Sequence, residues 1–279
     1  MRDGDFALRP LQPLLERRTG AVLAGGLALA ALPIAWIGQF SDIDLRLADW
    51  LFDAATRRFP WRDAWLADAF NHQILKGLFT LAALGFIAAA LLDLARPSTR
   101  RSSLDRLRLR IVAVCAVLVP LAISALKQAS SSHCPWDLAR YGGTAPYLRL
   151  FDALPAGVAA GHCLPAGHAS SALWLVAVAV YWLPAPARRA RAAALVALAL
   201  GAGSGWLQQM RGAHFLTHTL WSMWLSCAIV LGVTLVLQRR GLTVTGASGN
   251  AARGTGSTAG SHAPSPCRPG PGSGCPCPD

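Results

Sequence analysis

The sequence predicts an all-α, polytopic membrane protein with six transmembrane helices in a bundle. Three observations lead there. The 279 residues are 53% hydrophobic and 14% charged, whereas an ordinary soluble domain carries about 25% charged residues. The apolar residues fall in blocks of bilayer-spanning length, and roughly 20 suffice to cross the hydrocarbon core. Basic residues collect between the blocks, as cytoplasmic loops of membrane proteins do.

Taken in order, Arg17 and Arg18 precede a first block at residues 21–40. No signal-peptide cleavage site closes it, so it is expected to be a retained helix. Residues 41–73 mix Trp, Asp and Arg with apolar side chains, the composition of an amphipathic segment lying on the membrane surface. A second block at 74–94 is followed by six arginines within 96–110 and a third block at 111–126. A long loop of mixed polarity, within a catalytic stretch at 127–168, leads to a fourth block at 169–183. The fifth and sixth lie at 192–210 and 219–238. The domain plan is a cytoplasmic N-terminus (1–18), a membrane domain (19–240) and a Gly-, Ser- and Pro-rich tail (241–279) expected to be disordered.

Charge sets the orientation. The net charge is +12, which in a soluble protein would suggest nucleic acid. Here 17 of the 26 basic residues lie in the N-terminus, the 96–110 and 184–191 loops and the stretch from Arg239 onward. Both termini are therefore expected inside, and no nucleic-acid partner is expected. The opposite face then receives His72, His133, His162, His168, His214 and His218. The chain uses 24 arginines but only two lysines, Lys76 and Lys127.

Three stretches on that face carry chemistry. They are Lys127 through Cys134-Pro135-Trp136-Asp137 to Arg140, then Gly161-His162-Cys163-Leu164-Pro165-Ala166-Gly167-His168, then Arg211-Gly212-Ala213-His214-Phe215-Leu216-Thr217-His218. If helical, Arg211, His214 and His218 share one face. A guanidinium beside an imidazole suits an anionic substrate attacked by nitrogen. Gly167 and His168 open a helix, where free N–H groups attract an anion, and His168 is placed to protonate a leaving oxygen. Such a pocket supports a phosphohistidine intermediate. Nearby carboxylates number only Asp137 and Asp152, too few for a two-metal phosphatase. No metal or other cofactor is expected.

The three stretches together resemble the type-2 phosphatidic acid phosphatase superfamily, whose pattern is Lys-x6-Arg-Pro, Pro-Ser-Gly-His and Ser-Arg-x5-His-x3-Asp on a six-helix core. Lys127 and Cys134-Pro135 keep the first spacing with Cys for Arg, and Pro165-Ala166-Gly167-His168 has Ala for Ser. His214 and His218 fit the third with His for Asp, and Gln208 stands at its arginine position. The resemblance covers about Lys76 to Trp224. It implies His214 as nucleophile and His168 as general acid, with phosphate held by Lys127 and the Gly167 backbone. Arg140 and Arg211 would replace the missing arginines, and His218 or Asp137 would orient His214. The expected partner is a membrane lipid with a phosphate head group (phosphatidyl, undecaprenyl or lipid A phosphate), hydrolysed at the outer boundary of a bacterial inner membrane. Transfer of phosphate to a second lipid is an alternative. A non-catalytic protein with a His168–His214–His218 metal site is another. Cys134 and Cys163, beside two of the motifs on an oxidising face, are expected to form a disulfide. The oligomeric state is not legible.

Overall fold

The computed structural model describes residues 13–254 and is built of helices, with no strand among them. Helix α1 is Arg17–Phe40 and α2 is Ile43–Leu51. A π-helical stretch, Leu66–Leu75, runs directly into α3, Lys76–Ala95. Helix α4 is Ser103–Gln128, and α5, Gly167–Leu173, continues as 3-10 turns over Trp174–Trp182. Helices α6 and α7 are Ala187–Met210 and Leu216–Gly254.

Among the described residues, five helical segments are long and apolar enough to cross a membrane: Arg17–Phe40, Leu66–Ala95, Ser103–Gln128, Ala187–Met210 and Leu216–Arg240. Their outward surfaces carry exposed Leu29, Leu32, Leu81, Leu91 and Leu195. Apolar surface spread over so many helices is what lipid, not water, would cover.

Helix α4 sits at the centre. Val112, Ala116, Val119 and Ile123 recur at three- and four-residue spacing, so they share a face, and all four are buried. That face packs with Trp174, Ala177 and Val180 after α5 and with Val230 of α7. Helix α4 starts eight residues before the expected block, because Ser102 caps it by accepting the Asp105 N–H at 3.1 Å. Side-chain capping satisfies a donor that the first turn otherwise leaves open. Arg106, Arg108 and Arg110 thus belong to the helix rather than to a loop.

Helices α1 and α7 run antiparallel. Leu15 and Gln238 exchange two hydrogen bonds of 3.0 and 2.9 Å, Trp224 donates to the Leu27 carbonyl, and Gly38 lies near Thr217. The start of α1 and residue 238 therefore share one end of the bundle. Arg101 and Arg106 flank buried Asp93 where α3 gives way to α4. The opposite end carries the last turn of α4, the first of α5 and the link between α6 and α7.

Residues 41–73, expected as an amphipathic segment on the membrane surface, bury Ala48 and Phe59 against Leu138, Tyr141 and Phe215. The last part, from Leu66, lengthens the α3 span instead. The disordered tail does not start at Gly241, because α7 continues to Gly254. Each added helical residue gains a local hydrogen bond once the helix is nucleated, which a reading of composition overlooks. Residues 255–279 lie outside the described residues.

Candidate active site

The three motif segments meet through the backbone. Gly161, His162 and Cys163 donate N–H bonds of 3.2, 3.1 and 2.9 Å to the carbonyls of Ser131, Ser130 and Ser132. A Cβ on Gly161 would come within 2.5 Å of His133 Cα, so only glycine permits this approach. Cys134 and Cys163 are joined as a disulfide, Cα atoms 5.3 Å apart. Trp136 N–H donates to Gly212 O at 3.0 Å, and Ala166 N–H to His218 O at 3.1 Å. The first motif is thus tied to the second and third, and the second to the third.

The link from α6 to α7 breaks at Gly212, where φ is +73° and a Cβ would overlap the Phe59 ring. Left-handed backbone there favours glycine. The consequence is that Arg211, His214 and His218 do not share a helical face. His214 stands in the link and His218 in the first turn of α7. Their rings pack edge to face with centroids 5.7 Å apart, and His168 and His214 are 6.1 Å apart. His214 is 3% exposed. Its Nδ1 lies 3.5 Å from Cys163 Sγ, which leaves Nε2 for other partners. His218 Nε2 is 3.2 Å from the Ser132 hydroxyl.

A groove of about 420 Å³ opens on this cluster between α3, α4 and α5, lined by Lys76, Lys127, Gly167, His168, Ser171 and, deeper, Trp174 among others. The Lys127 stem lies alongside Gly167, 3.8 Å from where a Cβ would stand. His168, Lys127 and Gly167 therefore share one cavity, and the His214 ring, which does not line it, packs 6.1 Å from that of His168.

The two proposed replacement arginines are not brought to it. Arg140 forks onto Asp49 of α2 with two bonds of 2.7 Å, and Tyr141 donates to the same carboxylate. Arg211 pairs with Asp68 at 3.0 Å and donates to the Arg62 carbonyl. Both guanidiniums have a carboxylate partner supplied by residues 41–73, a segment whose packing the sequence did not reveal. Gln208, at the family's arginine position, is buried and donates to the Ala67 carbonyl. Asp137 is exposed and makes turn contacts through its carbonyl, so of the two suggested orienting groups only His218 lies against His214. His133 is buried and bonded to the Ala159 carbonyl, and His162 is exposed. The side chain of His72 lies outside the described residues.

A carboxylate that motif reading misses lies close by. Asp44 of α2 is 3% exposed and lines a small pocket with His214 and Phe215. It accepts the Thr217 N–H at 3.0 Å and also the Thr217 hydroxyl, so it caps the start of α7 from another helix. Burial pushes its carboxyl up, against the opposing pull of the Thr217 bonds. Nothing in the local sequence marks it. Asp44→Ala leaves Thr217 N–H unpaired in a buried place and is expected to cost about 1–3 kcal/mol of stability. Thermal unfolding in detergent measures this, and an unchanged midpoint contradicts it.

Metal ligation was an alternative for the three histidines. Among the described residues, the group with ligand atoms within 4.8 Å of one another is Cys134, Cys163 and His214, not the histidine trio. Its two sulfurs are bonded to each other, and a disulfide lacks the thiolate that binds metal. One imidazole is left as a strong donor, where a structural zinc site needs about four.

Residues 108–242 match the PAP2 superfamily. Over these residues the chain belongs to that superfamily. The matched PAP2 segment holds Lys127, Gly167, His168, His214 and His218, and leaves out α1, α2 and α3. No curated protein and no solved structure matches the chain. Membership of the PAP2 superfamily points to a phosphatase acting on a phosphate ester.

The electrostatics of this site favour a neutral His214. His214 is held well below the usual imidazole range, first by burial and then by the neighbouring His218, His168 and Lys127. An unprotonated imidazole has the free lone pair that attack on phosphorus needs. As pH falls from 7 through 6.5 this ring stays neutral, so its contribution to the acid limb of kcat/KM is expected well below pH 6.5. A pH–rate profile checks this. A His214 ring that titrates at or above 6.5, read by NMR, would contradict this.

Proposed function

We propose that this protein hydrolyses a lipid phosphate or pyrophosphate at the membrane boundary, without metal, through a phosphohistidine on His214. The carrying observation is the convergence of His168, Lys127 and Gly167 on one groove, with the His214 ring 6.1 Å from that of His168. His214 Nε2 attacks phosphorus, the P–O bond to the lipid breaks, and His168 donates its proton to the departing oxygen. His168, now a base, takes a proton from water, whose oxygen attacks phosphorus and releases inorganic phosphate and neutral His214. In-line attack wants the nitrogen about 3–3.5 Å from phosphorus, and the acid within about 3 Å of the leaving oxygen. Imidazoles roughly 6 Å apart are compatible with a phosphoryl group between them.

The groove also supports a lipid substrate. It is lined by Lys76, Lys127, Gln128 and His168 and, further along α3 and α4, by the apolar Ala83, Ala116 and Pro120, with Trp174 beside them. Ala116 lies about 16 Å along α4 from Lys127 at 1.5 Å per residue. A head group then meets charge while its tail follows the apolar lining.

The chain is proposed to cross six times, residues 167–182 making the fourth span. Seven α-helical and nine 3-10 residues rise about 28 Å, close to the hydrocarbon thickness of about 30 Å. The arginine-rich end faces the cytoplasm with both termini, and the histidine end faces outward from a bacterial inner membrane. Phosphate release from a lipid panel in excess EDTA tests the reading. Sustained release is expected; dependence on added zinc, or no release from any substrate, contradicts it.

A further inference from the structure

The groove is short of the positive charge that the family pattern supplies. At the two arginine positions of that pattern stand Cys134 and Gln208. Arg140 and Arg211 are held elsewhere, on Asp49 and Asp68. Within the matched residues 108–242, Lys127 is the cation that lines the groove beside Gly167 and His168. A phosphate ester carries about −1.5 to −2 charge at neutral pH, which one ammonium does not balance.

The chain's other lysine, Lys76, lines the same groove from α3, outside the matched residues. It stands in the apolar helical run Leu66–Ala95. An ionisable side chain in such a run characteristically faces a cavity rather than lipid. Among the described residues its ammonium has no carboxylate partner, and no Asp or Glu lines the groove. Asp68, which draws Arg211 away, belongs to the same run. One element thus withdraws a guanidinium and presents an ammonium.

We propose that Lys76 binds the phosphoryl group under attack jointly with Lys127, in place of an arginine that the family pattern has and this chain lacks. The inference rests on the hydrolytic reading above and adds a phosphate-binding residue to it. The two ammoniums come from the start of α3 and the end of α4, so they meet one dianionic group from different helices. A lysine that only snorkels to the interface would leave phosphate binding unchanged when its charge is removed.

The test is binding of inorganic phosphate to purified full-length wild type, Lys76→Met and Lys76→Arg, followed by kcat/KM on one lipid monophosphate. Lys76→Met keeps most of the apolar stem and removes the charge. It is expected to weaken phosphate and to lower kcat/KM, each about 10- to 100-fold, the factor carried by a hydrogen bond to a charged group. Lys76→Arg should restore most of both, with one unfolding temperature for all three proteins. Wild-type affinity and turnover in Lys76→Met overturn the proposal. A loss that Lys76→Arg does not restore, with a lowered unfolding temperature, marks a structural role and overturns it too. If no lipid is hydrolysed but phosphate binding needs the Lys76 charge, the hydrolytic reading fails and the phosphate site stands. If wild type neither binds phosphate nor hydrolyses lipid, both are refuted.

Discussion

His214→Ala is expected to reduce phosphate release on the order of 10⁴-fold or more, the scale of loss when a nucleophile acting within a catalytic unit is removed. The fold should survive, because His214 lies in the α6–α7 link and the segments around it are held by other bonds: Trp136 to Gly212, Ala166 to His218, Asp44 to Thr217. Binding should survive too, since Lys127 and Gly167 remain. The signature is therefore a collapse of kcat with little change in KM. His168→Ala should also lower kcat, but less on substrates with an acidic leaving group, which need no proton as the bond breaks. Equal losses for all leaving groups would remove His168 from the role of acid.

The second large effect concerns the disulfide. Cys134–Cys163 closes 29 residues of sequence separation and ties the first motif to the second. Chain-entropy reasoning gives a bridge of this span about 3.6 kcal/mol. Its placement adds a functional role, because Cys163 Sγ is the neighbour of His214 Nδ1. Where the family pattern has Asp, this chain has His218, which packs on the His214 ring, while His214 Nδ1 faces a sulfur. The double variant Cys134→Ser/Cys163→Ser is expected to unfold at lower temperature and to lose kcat. Treatment with reductant should do the same to wild type but not add to the variant. Alkylation with and without reductant, read at the peptides holding each cysteine, checks the bond itself. Two freely alkylated thiols in native protein would end this account of how His214 is held.

Much of this architecture is legible in the chain. Apolar blocks give the long helices because span length is a property of composition, and the motif spacings placed Lys127, Gly167, His168 and His214 near one another. The helix ends were misread where side chains rather than hydropathy decide them, as at Ser102, whose cap carries α4 through three arginines. The two arginines lie outside the groove for a different reason. Arg140 and Arg211 each meet an aspartate, Asp49 and Asp68, from a segment far away in sequence. Asp44 escaped notice likewise, since its partner Thr217 lies 173 residues on. Local pattern locates residues along an element, but it says little about which distant acid reaches a given base. Lys76 was visible only as an odd choice of residue, and needed the groove to acquire a role.

The central claim is a covalent bond between phosphorus and His214, and rapid acid-free quenching of turnover with ³²P-labelled lipid phosphate in EDTA measures it directly. The account predicts label on the protein that is stable in alkali and lost in acid, recovered on the peptide containing His214 and absent from His214→Ala. Hydrolysis at full rate with no labelled protein at any quench time, or with label on another residue, would contradict it.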